Sequence, residues 1–254
     1  MVLSCAGLSL GYPGHVVARD LSFSLHPGEV TAVIGHNGSG KTTLIKTVLG
    51  VNAPAAGSLY WTDPRPREIG YLAQLTEFDR RFPIRVRELA AMGAWRGLGF
   101  WGGVDEAARV RIAAALKATG VEAIAEKPLH QLSGGQLQRA LFARVIVQNA
   151  PVVLLDEPFA AVDQTTEAQL LELISQWAAE GRAVILVVHD LSSVLESCSH
   201  ALLLGDGSGH FGTVEEVVTP ENLVQYGYYS ASQAAWFERA SARHSAKAKG
   251  GVDV

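Results

Sequence analysis

The sequence predicts an α/β fold built on a parallel sheet, and three observations predict it. Two continuous apolar runs, Val152–Leu155 and Ala183–Val188, have the composition of strands that are buried on both faces of such a sheet. Between them, apolar residues recur at helical spacing before Gly181. A third run, Val30–Ile34, is β-branched and leads through a glycine-rich turn into the helical segment Lys41–Leu49. This order of strand, helix and strand is typical of an α/β domain.

The remaining elements follow in chain order. Leu8–Leu10 and Leu21–Leu25 alternate apolar and polar residues, so a small antiparallel sheet is expected before the main one. Gly50 is placed to end the helix that begins at Lys41.

Helical periodicity dominates from Thr76 to Lys127, most clearly from Ala107 to Thr119. Thr219 and Pro220 have the pattern of an N-cap and first residue of a C-terminal helix. The predicted division is a core at 1–75 and 146–218, an inserted helical subdomain at 76–145, and a C-terminal helix and tail at 219–254.

Composition excludes several classes of protein. The chain has 254 residues with 21 basic and 25 acidic side chains, a formal net charge of −4, so the basic surface of a nucleic-acid binder is not expected. No apolar run approaches the length that spans a bilayer, and no secretory signal precedes the first strand, so residence in the cytosol is expected. Cys5 and Cys198 are read as buried thiols. The tail from Ser241 is expected to fray, with contact to lipid headgroups as the alternative.

A glycine-rich loop between the predicted strand and helix carries the pattern GxxxxGK[ST]. Its glycines let successive backbone N–H groups turn toward one point at a helix N-terminus, an arrangement that binds phosphate. Lys41 adds a positive charge for the β- and γ-phosphates, and the Thr42 hydroxyl is suited to Mg²⁺. The predicted nucleotide-binding residues of this loop are Gly35, His36, Asn37, Gly38, Ser39, Gly40, Lys41, Thr42 and Thr43.

Two carboxylates, Asp156 and Glu157, directly follow the apolar run that ends at Leu155. Open α/β sheets bind their ligands at the carboxyl ends of the strands. Asp156 is therefore suited to hold Mg²⁺ through water. Glu157 is placed to orient or deprotonate the water that attacks the γ-phosphate.

A third motif, Leu132-Ser133-Gly134-Gly135-Gln136, supports two interpretations at once. Ser133 and Gln136 have the spacing of a capping box before a helix. The N–H groups and positive dipole of such a helix start also suit a phosphate, and the double glycine permits close approach of a ligand.

With this motif between a phosphate loop and a strand that ends in Asp-Glu, the chain resembles the nucleotide-binding subunit of an ATP-binding cassette (ABC) transporter. The resemblance runs to about Tyr226. It implies a P-loop NTPase core with the antiparallel β-subdomain and the helical subdomain described above, with ATP and Mg²⁺ as ligands and ATP hydrolysis as the activity. It also implies a head-to-tail pair of identical chains. Each ATP would then lie between the phosphate loop of one chain and the Leu132–Gln136 motif of the other.

Four further positions each resemble a functional residue of this family. Tyr12 resembles the aromatic residue that stacks on adenine. Gln74 resembles the glutamine that touches Mg²⁺ and links the core to the helical subdomain. His189 resembles the histidine that senses the γ-phosphate and holds the catalytic carboxylate. Asp163 resembles the end of a loop that meets the opposite subunit, and it is equally suited to be a helix N-cap. The loop before it departs from the family, since Phe159–Val162 lacks the Ser or Gly that many relatives carry.

The cargo is predicted by a weaker resemblance. Phe82–Leu89 and Met92-Gly93 are similar to cassettes that import zinc, manganese or iron, with zinc ahead of manganese. The eight histidines show no HxH or HxxxH spacing, so the ion is not expected to bind this chain. The implied partners are a membrane permease and an extracytoplasmic metal-binding protein, with the chain peripheral at the cytoplasmic face of the membrane. Trp95, Phe100 and Trp101 suit either an apolar groove for a permease helix or core packing.

Three other functions compete with metal import. The first is a cassette for another cargo, such as haem or a siderophore. The second is a non-transport ATPase acting on ribosomes or DNA, which the single cassette without a long coiled-coil insertion disfavours. The third is a nucleotide-binding regulator that does not hydrolyse, which the presence of both Glu157 and His189 disfavours.

Overall fold

The computed structural model describes residues 1–12, 14–62, 66, 68–97, 105–230 and 232–233. Phe100, Trp101 and the tail from Ser241 lie outside the described residues. The strands are β1 Leu3–Tyr12, β2 His15–Leu25, β3 Val30–Gly35, β4 Ala56–Trp61, β5 Ile69–Leu72, β6 Val152–Asp156, β7 Ala183–Val187, β8 His200–Gly205 and β9 Ser208–Thr213. The helices are α1 Lys41–Val48, α2 Val86–Ala91, α3 Glu106–Ala118, α4 Gly134–Gln148, α5 Gln164–Ala179, α6 Leu191–Ser197, α7 Val214–Val217 and α8 Pro220–Gln225.

These elements form two compact units. The first comprises Met1–Val2, Leu25–Thr31 and Trp61–Ser197. The second comprises Leu3–Ser24, Ala32–Tyr60 and the described residues from Cys198 onward.

Parallel strands form the centre of the first unit, in the order β5-β6-β7. All five residues of β6 and all five of β7 are buried, because these strands lie inside the sheet and are covered on both faces. The start of β3 also belongs to this unit, where the Glu29 carbonyl accepts a hydrogen bond from the Val184 N–H at 2.9 Å. The predicted α/β fold is confirmed.

Helix α4 is the central helix of the first unit, and it packs against α2 and α3. Phe142, on α4, is fully buried and stacks on Trp177 of α5, with the ring centroids 6.4 Å apart. Two polar side chains at the end of α4 reach the edge strand β5. Arg144 donates to the Tyr71 carbonyl at 2.6 Å, and Gln148 donates to the Ile69 carbonyl at 3.0 Å. The helix is thereby fixed to the sheet by polar as well as apolar contacts.

The second unit contains a three-stranded sheet in the order β2-β1-β4, and a group of strands in the order β3-β8-β9. The small N-terminal antiparallel sheet expected from the alternating pattern is confirmed. Helix α8 begins as predicted, because the Thr219 hydroxyl accepts a hydrogen bond from the Asn222 N–H and Pro220 is its first residue. None of the helices in the described ranges is long and apolar enough to cross a membrane.

Candidate functional site

The phosphate loop joins β3 to α1 in the second unit, and its backbone leaves N–H groups open to a ligand. Gly38 and Gly40 have φ angles of +86° and +105°, which side-chain-bearing residues rarely adopt. Gly40 is the N-cap of α1, and no side chain caps this helix. Because the first N–H groups of a helix have no partner within it, they point toward the space in front of the loop. This is the arrangement that binds phosphate.

Lys41 is held at the same loop. Its ammonium group donates to the Gly35 carbonyl at 2.7 Å and to the His36 carbonyl at 3.1 Å, and the residue is only 7% exposed. A side chain at Gly35 would collide with Ser39 and with the Leu204 carbonyl, so the pattern requires glycine there. Three features of the loop therefore suit an anionic group. These are the positive charge of Lys41, the backbone N–H groups, and the glycines, which let the backbone come close to a ligand.

Tyr12, at the end of β1, also lies in the second unit. Its side chain is half exposed and lines a hollow together with Val16 and the loop at 51–55. The exposed ring face is the property that stacking on a base requires.

Three of the predicted residues meet in the first unit, around the Glu157 carboxylate. One carboxylate oxygen, Oε1, lies 2.6 Å from His189 Nε2, and the other, Oε2, accepts a hydrogen bond from Gln74 Nε2 at 2.8 Å. Glu157 has a φ of +50°, a left-handed backbone conformation that is uncommon for residues other than glycine. Strained backbone of this kind persists where the surroundings hold it, and it is frequent at functional sites.

Asp156 precedes Glu157 at the end of β6, and only 1% of its surface is exposed. The residues predicted to hold Mg²⁺ supply a hydroxyl from Thr42, a side-chain amide from Gln74 and a carboxylate from Asp156. Each of these groups offers an oxygen atom, and oxygen is the ligand that Mg²⁺ prefers. The chemistry of each group therefore suits the ion, and a shared Mg²⁺ site stays a prediction.

The motif at Leu132–Gln136 forms the start of α4. The Ser133 hydroxyl accepts a hydrogen bond from the Gln136 N–H at 3.2 Å, and the Gln136 side chain accepts one from the Ser133 N–H at 3.1 Å. The capping-box interpretation is confirmed. The two glycines lie against the loop that follows Glu157. A Cβ at Gly134 would approach the Ala161 Cβ to 2.9 Å, and one at Gly135 would approach the Ala161 carbonyl to the same distance.

Asp163 is the N-cap of α5. Its carboxylate accepts hydrogen bonds from the Thr166 N–H at 2.9 Å and from the Thr166 hydroxyl at 3.0 Å. The backbone and then the side chain of Thr166 thereby lower the pKa of Asp163 below its ordinary value. The cap interpretation is confirmed, while the contact with an opposite subunit stays a prediction.

Sequence reasoning missed several polar residues that the fold places near these motifs. Gln138, on α4, donates to the Pro158 carbonyl at 2.7 Å, beside Glu157. Burial raises the pKa of Tyr71 to about 12 and lowers the pKa of Arg144. Gln138 is a polar residue within an otherwise apolar face of a helix, and this pattern could have drawn attention to it. The sequence does not show that its partner is the Pro158 carbonyl.

A loop for phosphate groups, together with a carboxylate held at the end of a buried strand, defines a nucleotide-binding protein of the P-loop class. The family model of ABC transporters matches residues 18–160. The manganese transport system ATP-binding protein MntB of Bacillus subtilis is 37% identical over 221 residues, which cover 85% of this chain and 88% of that protein. The chain therefore belongs to the ABC transporter family, and it is an ATPase.

Two solved structures share this fold. A metal-chelate type ABC transporter in an inward-facing conformation is 28% identical and aligns with a TM-score of 0.79 over 89% of each chain. The ATP-binding cassette MJ0796, dimeric and bound to ADP and phosphate in a post-hydrolysis state, is 22% identical. It aligns with a TM-score of 0.73 over 84% of this chain and 98% of its own. At that identity the likeness concerns the fold alone.

Proposed function

We propose that Glu157 is the general base for hydrolysis of the γ-phosphate of ATP, and that His189 and Gln74 hold its carboxylate in position. The observation that carries this proposal is the pair of contacts to Glu157, at 2.6 Å from His189 and 2.8 Å from Gln74. Each contact is made to a different carboxylate oxygen, so together they fix the plane of the group. A base that is held in this way needs little reorganisation when a water molecule approaches.

The other predicted residues complete the proposed site. The phosphate loop binds the phosphates, Lys41 reaches the β- and γ-phosphates, and Tyr12 stacks on adenine. Thr42, Gln74 and Asp156 would hold Mg²⁺, and the ion would supply positive charge that offsets the negative charge of the phosphates. We further propose that two copies of the chain pair head to tail, so that Leu132–Gln136 of one copy contacts the ATP bound to the other.

Replacing Glu157 with glutamine tests the role of the base. The amide keeps the size of the side chain and one hydrogen-bond acceptor, but it cannot take a proton from water. We expect turnover of Mg-ATP to fall by about 100-fold or more, since that is the contribution of a well-placed general base. Steady-state phosphate release measures it, and light scattering with ATP follows the expected stable dimer.

Glu167→Gln is the matched control. Glu167 lines the same hollow as Glu157, but its carboxylate accepts a hydrogen bond from the Ser193 hydroxyl at 2.7 Å. The same loss of charge there should leave turnover within about twofold, as for a substitution outside the machinery. Normal hydrolysis by the Glu157→Gln variant, or a variant that stays monomeric with ATP, would contradict the role assigned to Glu157.

For the cargo, we propose a divalent metal ion imported through a membrane permease, with the chain at the cytoplasmic face and an extracytoplasmic protein capturing the ion. The sequence motifs predict zinc ahead of manganese, whereas the similarity to the Bacillus subtilis protein favours manganese. In the described part of the chain, no group of three His, Cys, Asp or Glu residues could hold a metal ion. Because the similarity favours manganese, deleting the gene should lower cellular manganese, measured by mass spectrometry. A fall in zinc with normal manganese would restore zinc as the cargo.

A further inference from the structure

Gln138 is a polar residue in a fully buried position. It lies on α4, five positions after Ser133, and none of its surface is exposed. Burying an amide is unfavourable unless it forms hydrogen bonds. Its Nε2 donates to the Pro158 carbonyl at 2.7 Å, while its Oε1 has no hydrogen-bond partner among the described residues. Apolar residues would fill this position at lower cost, so the single hydrogen bond to Pro158 calls for an explanation.

The acceptor of that hydrogen bond is next to Glu157. The left-handed backbone at Glu157 is unfavourable for a residue with a side chain and has to be held from both sides. On one side, the Glu157 N–H donates to the Val187 carbonyl at 3.1 Å. On the other side, the Glu157 carbonyl accepts a hydrogen bond from the Ala160 N–H at 3.2 Å, within the same loop. Proline has no N–H, so the Pro158 carbonyl is the next polar backbone group through which another element can fix the chain. Gln138 donates its hydrogen bond to that carbonyl.

The same helix touches the loop a second time. Gly134 and Gly135 lie so close to Ala161 that a Cβ on either would come within 2.9 Å of it. Ala161 is itself a non-glycine residue with a φ of +64°. The strained segment from Glu157 to Ala161 is therefore held by the first turns of α4 at two points, one a hydrogen bond and one a close backbone contact.

We propose that Gln138 is a positioning residue for Glu157, which sets the direction of the catalytic carboxylate through the Pro158 carbonyl. The proposal rests on the role of Glu157 given under Proposed function. Gln138 lies on the helix that begins with the Ser133–Gln136 motif, so a shift of that helix start would reach Glu157 through this hydrogen bond. In the proposed dimer, nucleotide bound at one site would thereby influence the base of the other.

Gln138→Met and Gln138→Glu test the proposal in the full-length chain. Methionine keeps the volume and loses the donor, so kcat should fall about tenfold, the effect of one lost buried hydrogen bond, with KM for ATP unchanged. The carboxyl in Gln138→Glu can donate only when protonated, and burial raises the pKa of such a group. Its kcat relative to wild type should therefore rise as the pH falls from 8.5 to 6, while the ratio for Gln138→Met stays flat.

Gln148→Met is the matched control. Gln148 lies on the same helix and also donates to a backbone carbonyl, but its acceptor is Ile69 on β5, which is remote in sequence from Glu157. It should keep kcat within about twofold of wild type. Equal losses for Gln138→Met and Gln148→Met, or a flat pH ratio for Gln138→Glu, would overturn the proposal. If Gln138→Met does not fold, the pH ratio of Gln138→Glu alone decides. Glu157→Gln is assayed in parallel, since wild-type turnover in that variant would mean that the assignment of Glu157 has failed instead.

Discussion

Ser133 caps helix α4, and the proposed dimer gives it a second role as a group that contacts phosphate; substitution can distinguish the two roles. Ser133→Ala removes the hydroxyl that accepts the Gln136 N–H at 3.2 Å. Losing an N-cap of this kind costs about 1 kcal/mol. The reciprocal hydrogen bond from the Ser133 N–H to the Gln136 side chain remains, so the loss should not exceed this value. For a domain of this size, that corresponds to a melting temperature lower by about 2–4 °C.

Ser133→Asp keeps the cap and changes the charge. Aspartate is as good an N-cap as serine, and its negative charge suits the positive end of the helix dipole. The melting temperature without nucleotide should therefore stay close to that of the wild type. The same negative charge would repel a bound phosphate, so ATP hydrolysis should fall at least tenfold in this variant as well as in Ser133→Ala.

Thermal unfolding without nucleotide and steady-state phosphate release are measured for both variants. The expected result is one variant of lower stability and one of normal stability, both with impaired hydrolysis. If Ser133→Asp restored hydrolysis together with stability, Ser133 would be a structural cap only. The assignment of the motif to the ATP of a second chain would then lose its support.

Two further predictions concern the thiols and the exposed indole ring. Burial raises the pKa of both Cys5 and Cys198 to about 12, so their thiolate fractions at pH 8 are about a thousandfold below that of an ordinary thiol. Cys5 is buried as expected, whereas Cys198 is only half-buried. Labelling of Cys5 by iodoacetamide should be at least 100-fold slower in the native chain than in guanidinium and should rise with pH, and Cys198 should react faster than Cys5; fast native labelling of Cys5 would contradict its burial. Trp95 is 73% exposed and lies beside Met92 in a groove of the first unit. We expect the Trp95→Ala variant to copurify less with the permease and to keep the melting temperature of the wild type. An undiminished yield would argue against a docking role.

The buried strands and the two phosphate-related motifs were predictable because their signals are local. Val152–Leu155 and Ala183–Val188 are apolar runs that only a covered parallel sheet can bury, and the structure differs there by one residue at each C-terminal end. The capping box at Ser133 is likewise a short-range pattern. Strands such as β9, Ser208–Thr213, were not predicted, because two glycines and a histidine among its six residues mask the alternation.

The remaining parts of the site depend on contacts that are distant in sequence. Gln74 and Glu157 are 83 positions apart, and their hydrogen bond arises because β5 and β6 are neighbours in the sheet. The family resemblance brought both residues into one prediction, but it gave no reason for the left-handed backbone at Glu157. The contact of Gln138 is likewise distant in sequence, since its amide donates to a carbonyl 20 positions away. A single sequence does not record which side chains face each other across such distances.

The hydrogen bonds from Arg144 and Gln148 to β5 have a consequence for solubility. An edge strand presents a row of free carbonyls, which invite pairing with a strand of another molecule. Carbonyls two residues apart point to the same side of a strand, and on β5 those of Ile69 and Tyr71 already receive donors from α4. These two carbonyls are therefore not available as acceptors for a strand of another molecule. In the head-to-tail pair proposed above, where two copies work side by side, these hydrogen bonds would oppose aggregation by edge-to-edge growth at β5.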